Sequence, residues 1–119
     1  MTQKQKDLLL KDLCARLPYR VKVSTPDDVS RTITRMNIDR NLIEVGNYID
    51  DIYVLSDIKP YLFPLSSMTK EQEKEWRYTL SSDDNITYDT VDWCNKNHFD
   101  YRGLIKKGLA NDCTNLNVY

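Results

Sequence analysis

His98 stands four residues after Cys94 and two before Asp100, and it is the one histidine in the chain. Thiol, imidazole and carboxylate in such proximity are the ingredients of a nucleophile, a general base and the group that orients it. Histidine is also the side chain that titrates nearest neutral pH. The spacing argues against that chemistry. A Cys and a His at i, i+4 on one helix rarely leave both an accessible sulfur and a substrate pocket, and no oxyanion-hole feature accompanies them. The plainer reading places Cys94 in the core face of a helix. His98 then sits at that helix's C-terminus, where the dipole favours its protonated form.

The other chemical readings weaken in the same way. Zinc would draw on Cys94, His98 and Cys113, but structural zinc sites show paired ligands on both sides and here one pair exists. Asp27-Asp28, Asp50-Asp51 and Asp83-Asp84 could hold Mg²⁺ if brought together, yet each pair falls where a turn already accounts for it. Three glycines in 119 residues leave no phosphate-cradling loop. No catalytic residue, metal or cofactor is therefore assigned. The cysteines Cys14, Cys94 and Cys113 are odd in number and read as reduced thiols of a cytoplasmic protein.

Two binding chemistries remain. Arg20, Lys22, Arg31 and Arg35 form a basic stripe expected on the outside of a small sheet, where it would contact nucleic-acid phosphates. It lacks interleaved aromatics for base stacking. The net charge of −1 and pI near 5.8 also argue against a dedicated nucleic-acid binder. The second signal is aromatic: Tyr61, Phe63, His98, Phe99, Tyr101 and Arg102 cluster in two stretches, and such residues favour protein interfaces. They also glue helices to a small sheet.

The elements that must position these residues come from hydrophobic period. Leu10, Leu13, Cys14 and Leu17 fall at i, i+3, i+4, i+7, widened by Leu9, so residues 3–17 read as an amphipathic helix. Lys11, Asp12 and Arg16 lie off that stripe. Pro18 is expected to force Leu17 extended and stop the helix. Alternation at Tyr19, Val21 and Val23 predicts a strand. A second strand over Val29–Ile38 changes parity midway, which a bulge near Thr34 would reconcile. Leu42–Val45 and Tyr48–Leu55 complete four short antiparallel strands, a set that suits an SH3-like barrel. Asp57–Pro60 reads as one helical turn. Pro60 and Pro64 then bracket an extended Tyr61-Leu-Phe63.

The second half reads as helical. Thr69 with Gln72 is a capping box for a helix reaching Thr79. Thr87 caps a third helix over Tyr88–Asn97, with Tyr88, Val91 and Cys94 as its apolar stripe and Trp93 extending it. Gly108 ends a short turn begun at Leu104. The tail from Asn111 adds an edge strand or frays. No apolar run approaches the roughly 18 residues of a membrane span, and no signal-peptide core follows the N-terminus.

Three stretches carry a resemblance. They are Lys11-Asp-Leu-Cys-Ala-Arg-Leu-Pro-Tyr19, Ile58-Lys-Pro-Tyr-Leu-Phe-Pro-Leu-Ser-Ser-Met-Thr69 and Asn95-Lys-Asn-His-Phe-Asp-Tyr-Arg-Gly-Leu-Ile105. In this order they resemble a family of small uncharacterised proteins from phages and prophage-like elements of gut Bacteroides-type bacteria. The family often carries Gly where Arg20 stands and Arg where Phe63 stands. The resemblance implies an intracellular, phage-associated protein and no particular reaction.

Together these readings predict one α+β domain spanning 1–119. It has a helix over 1–18, a small curved antiparallel barrel over 19–65 and a helical part over 66–119. The leading expectation is a non-enzymatic protein that binds a host or phage protein in the host cytoplasm. A nucleic-acid-binding barrel competes, and an enzyme with a Cys/His site ranks third. The oligomeric state stays open.

Overall fold

The computed structural model describes residues 1–27, 30–46 and 51–119. Its first helix, α1 (Gln3–Arg16), opens on a Thr2–Gln5 capping box that the residue-level reading did not pick out. The buried face of α1 is Leu9, Asp12, Leu13 and Arg16. That is the i, i+3, i+4, i+7 spacing expected, turned by one residue. Leu10 and Leu17 are only partly buried and Cys14 is exposed. The expectation failed because two of the four inward side chains are charged, so apolar periodicity could not see them. Leu17 is also helical rather than extended (φ −52, ψ −45). The helix tightens into a 3-10 turn, Leu17–Tyr19, and stops at Arg20 in the left-handed region (φ 57).

Among the described residues seven strands follow: β1 (Lys22–Ser24), β2 (Ser30–Asn37), β3 (Leu42–Val45), β4 (Ile52–Val54), β5 (Lys59–Pro64), β6 (Phe99–Asp100) and β7 (Asn111–Asp112). The order across the sheet is β4-β3-β2-β1-β5-β6, with β7 also on β5. The register of β2 against β3 shifts between Ile33 and Arg35, so the bulge expected near Thr34 is present. It lets both Ile33 and Met36 face the core. The predicted segments at Val29 and Tyr48–Asp50 lie outside the described residues, and the helical turn sits two residues earlier than expected, at Leu55–Asp57.

The closed antiparallel barrel is a correction. The sheet is open and mixed. β5 pairs antiparallel with β1 and parallel with β6 and β7, and its adjacent residues turn to opposite edges, Phe63 to β6 and Leu62 to β7, so both its edges are taken and it cannot curl back to β4. Pro60 and Pro64 divide that strand. Proline cannot donate to a ladder, and each partner of β5 matches just two of its residues: Lys59–Pro60, Tyr61–Leu62 or Phe63–Pro64. Where β1 leaves β5, the Tyr119 hydroxyl fills the gap. It accepts from the Lys22 N–H at 2.9 Å and donates to the Tyr61 carbonyl at 2.8 Å.

The seam after β5 starts the helical half, as its residues predict. Thr69 and Gln72 cap α2 (Lys70–Thr79), and Thr87 caps α3 (Tyr88–Lys96). Gly108 ends the Leu104 turn at φ 74. The core gathers Leu9 and Leu13 of α1, Val21, Val23, Ile33, Ile43, Val45, Leu62 and Leu104 around one face of the sheet.

Two outcomes test this frame. Leu62 is fully buried, so Leu62→Asp places a carboxylate in the core and should cost more than about 4 kcal/mol, abolishing the cooperative melt. Arg16→Met leaves Asp12 with only part of its partners and should cost about 3–5 kcal/mol by urea denaturation. The double variant Asp12→Leu, Arg16→Met should recover most of that loss.

Candidate functional site

Cys94, His98 and Asp100 each meet different partners: His98 stacks on Tyr119 and Asp100 accepts from backbone. Cys94 is buried on α3, and burial pushes its thiol up to about 11 despite the nearby Arg16 charge. It is therefore a neutral thiol at physiological pH. His98 leaves the helix in the left-handed region (φ 64), and its Nδ1 is buried without a hydrogen-bond partner. Burial, with the charges of Arg16 and Lys22, holds the imidazole down to about 4. The dipole-favoured imidazolium expected at the helix end is thus overturned: desolvation and two cations outweigh a half-charge. The Asp100 carboxylate is taken by the backbone N–H groups of Leu104 and Ile105, both at 2.9 Å. Among the described residues, no cluster of three or more His, Cys, Asp or Glu is placed to hold a metal ion.

The basic stripe does not assemble. Lys22 is registered with Thr32, and Arg31 with Val23, so Lys22 and Arg31 point to opposite faces of the sheet. Arg31 is bound by Asp27 and Asp51 at 3.3 and 3.4 Å. Lys22 gives its Nζ to the Val118 carbonyl at 2.6 Å. Arg20 is exposed at the turn before β1, and Arg35 lies on the outer face beside Glu44. Around Arg35 an open groove of about 630 Å³ is lined by Met36, Ile38, Leu42, Glu44 and Ile52.

The aromatic candidates are mostly engaged internally. Phe99 is buried, stacked on Trp93 with centroids 5.4 Å apart and packed on Phe63 at 5.8 Å. Its expected exposure is therefore corrected: β6 carries it inward against α3. Tyr101 lies between the guanidinium groups of Arg16 and Arg102, and its hydroxyl donates to Asn95 at 2.9 Å. Arg102 donates to Asp12 at 3.2 Å. His98 stacks on Tyr119 at 3.7 Å. Tyr61 and Phe63 are half-buried.

Other exposed apolar side chains lie between α2 and α3, apart from Ile38, Ile52 and Val54 around the Arg35 groove. Leu65, Trp76, Ile86, Val91, Cys94 and Tyr101, with Thr90, line an apolar cleft of about 60 Å³. It continues past Leu65 and Trp76 into a shallower depression of about 260 Å³ bounded by Ser66, Met68 and Glu73. Ile86 is 67% exposed at the rim, and Tyr78 and Tyr88 are 80% and 92% exposed nearby in the chain. Tyr88 was expected on the inner stripe of α3; Thr90 and Asn95 take the buried positions beside Cys94 instead.

Polar bonds hold the cleft in shape. The Thr87 and Thr90 hydroxyls both donate to the Thr79 carbonyl, at 2.7 and 3.0 Å, pinning the end of α2 to the start of α3. Ser81 and Asn85 close the connecting loop, with the Ser81 N–H on the Asn85 carbonyl at 2.9 Å. The Trp93 indole donates to Glu75 at 3.4 Å. Sequence reasoning missed Ile86. Its signal was a lone isoleucine beside a polar loop that no helical stripe required.

Compared with family models, with curated proteins and with solved structures, the chain matches none. No described helix is long and apolar enough to cross a membrane.

The neutral His98 has a measurable consequence. Its folded pKa of about 4 lies below the ordinary 6.5. The unfolded chain therefore takes up the proton first, and the stabilisation is present above pH 6.5. It is lost as pH falls from 6.5 towards 4. After discounting for partial exposure, about 1–2 kcal/mol should disappear across that window. Urea denaturation at pH 7 and pH 4.5 should show this loss, and His98→Asn, which tolerates the left-handed backbone, should flatten it.

Proposed function

We propose that this chain is a non-enzymatic protein-binding module that acts inside a host cell as part of a phage or mobile element. Its docking surface is the apolar cleft between α2 and α3. The phage association rests on the three sequence blocks quoted above. The binding reading rests on one observation: apolar side chains converge on a preformed cleft and remain solvent-exposed at its rim. Leu65 is 41% and Ile86 67% exposed, against a background in which Leu9, Leu13, Leu62 and Leu104 are fully buried. Clustered exposure of this kind marks interaction surfaces, whereas scattered apolar residues need no explanation.

The cleft is also held open. The two threonine hydroxyls on the Thr79 carbonyl and the capping boxes of α2 and α3 fix its walls. A preformed pocket costs a partner less ordering entropy than one that must assemble. The non-enzymatic part of the reading rests on the neutral Cys94 and His98 and on an Asp100 carboxylate already committed to backbone.

The test is in-cell crosslinking in a phage-carrying host, comparing the wild-type chain with Ile86→Glu. Ile86 lies on the surface, so the variant should melt within about 1 °C of wild type, in line with the small effects of surface substitutions. The wild type should crosslink to a discrete protein and the variant should lose that product at least tenfold. Equal crosslinking by both would sink the cleft as the docking site.

A further inference from the structure

We infer that the chain forms a twofold dimer in which β4 of one copy pairs antiparallel with β4 of a second, joining two sheets into one. The docking cleft plays no part in it. The backbone defines the edge. β4 ends one side of the sheet among the described residues. The Val45 N–H donates to the Asp51 carbonyl at 3.0 Å, and the Leu55 N–H donates to the Asn41 carbonyl at 2.9 Å. With Ile43 registered on Tyr53, residues 51, 53 and 55 turn their peptide groups towards β3. Ile52 and Val54 turn theirs away, which puts two donors and two acceptors on the outer edge. Their side chains are 43% and 45% exposed on one face, and Tyr53 is half-buried on the other. The strand carries no lysine, proline or bulge of the kind that guards a sheet edge.

The register selects a second copy. A twofold axis at Tyr53 sets Ile52 opposite Val54 of the other copy, twice. Each pair exchanges both of its hydrogen bonds, so every outward donor meets an acceptor and apolar side chain meets apolar side chain. Pairing Val54 with Val54 instead runs Ile52 into the 3-10 turn Leu55–Asp57 and brings Asp51 opposite Asp57. Pairing Ile52 with Ile52 carries Val54 past the first residue of the strand. The edge is thus complementary to itself, as an interface between identical patches requires. A net charge of −1 puts little repulsion between two copies. A contact of this size gives a weak, concentration-dependent dimer.

Proline at Val54 is the cleanest probe. Val54 sits at φ −76, within the range of proline, and its N–H faces away from β3. Val54→Pro keeps the ladder within each copy and should melt within about 2 °C of wild type, yet it removes one hydrogen bond from each Ile52–Val54 pair. Sedimentation velocity up to about 1 mM, the range a small interface needs, should show the wild type passing from monomer to dimer. Val54→Pro should weaken that dimer about tenfold or more. Ile52→Lys with Val54→Lys sets like charges opposite each other and should do the same without touching the core. Tyr53→Cys in a Cys14→Ser background should crosslink with oxidised glutathione, because a pair of this type has Cα atoms about 4.5 Å apart. Ile38→Cys, 57% exposed at the β2–β3 turn, should not.

A chain that stays monomeric throughout overturns the inference. So does a dimer that keeps its strength in both Val54→Pro and the lysine pair, and so does an Ile38 cysteine that crosslinks as readily as the one at Tyr53.

Discussion

Arg16 is the interaction on which the two halves depend. It comes from the last turn of α1, is fully buried, and reaches into the helical half. Its Nε donates to Asp12 at 2.8 Å, and one terminal nitrogen donates to the Phe99 carbonyl at 2.7 Å. The other lies 3.5 Å from the Cys94 carbonyl, and Tyr101 covers the guanidinium plane. One side chain therefore touches the end of α3, β6 and the turn after it. Asp12 has its second oxygen on Arg102, so no charge in the group is left bare. Burying such charges is expensive, and a satisfied pair is weak support for net stability. What it supplies is position: α1 can take one rotation and one depth against α3, because any other leaves a buried charge unpaired.

The same charge shapes the chemistry around it. Arg16 faces His98 and Cys94 as well as Asp12. Its field opposes a proton on His98 and favours the thiolate of Cys94, but burial dominates at both and leaves each neutral. The thiol of Cys94 and the imidazole of His98 therefore meet the same cation in their neutral forms. The His98 ring closes its face with Tyr119, whose hydroxyl joins β1 to β5 where Pro60 ends their pairing.

Much of the local structure was legible. Thr69 with Gln72, Thr87, Gly108, the bracketing prolines and the Thr34 bulge each have a local mechanism, and each is found where that mechanism put it. Most of the failures share one cause. Rotation of α1 by one residue, the inward Asn95, the outward Tyr88 and the second parallel edge of β5 all depend on which distant group meets which. Asp12 and Arg16 looked like solvated residues because their partners lie on Arg102, Phe99 and Cys94, some 80 to 90 positions away. Open rather than closed topology has the same origin: two-residue strands at Phe99 and Asn111 carry almost no periodicity, yet they pair with β5 and leave it no free edge for β4.

That edge also accounts for where the cleft falls. Because β6 is stitched to Phe63 and Pro64, the chain leaving β5 cannot continue along the sheet and turns out at Leu65. Beyond it α2 packs on α3. Trp76 and Leu65 are left facing Val91 and Ile86 across a gap that neither helix fills. Closing the gap would take a bulkier residue at Thr90, but its hydroxyl, with that of Thr87, holds the Thr79 carbonyl. The two threonines that join the helices thus keep them apart, and the cleft is a geometric consequence of how the helical half is tied together.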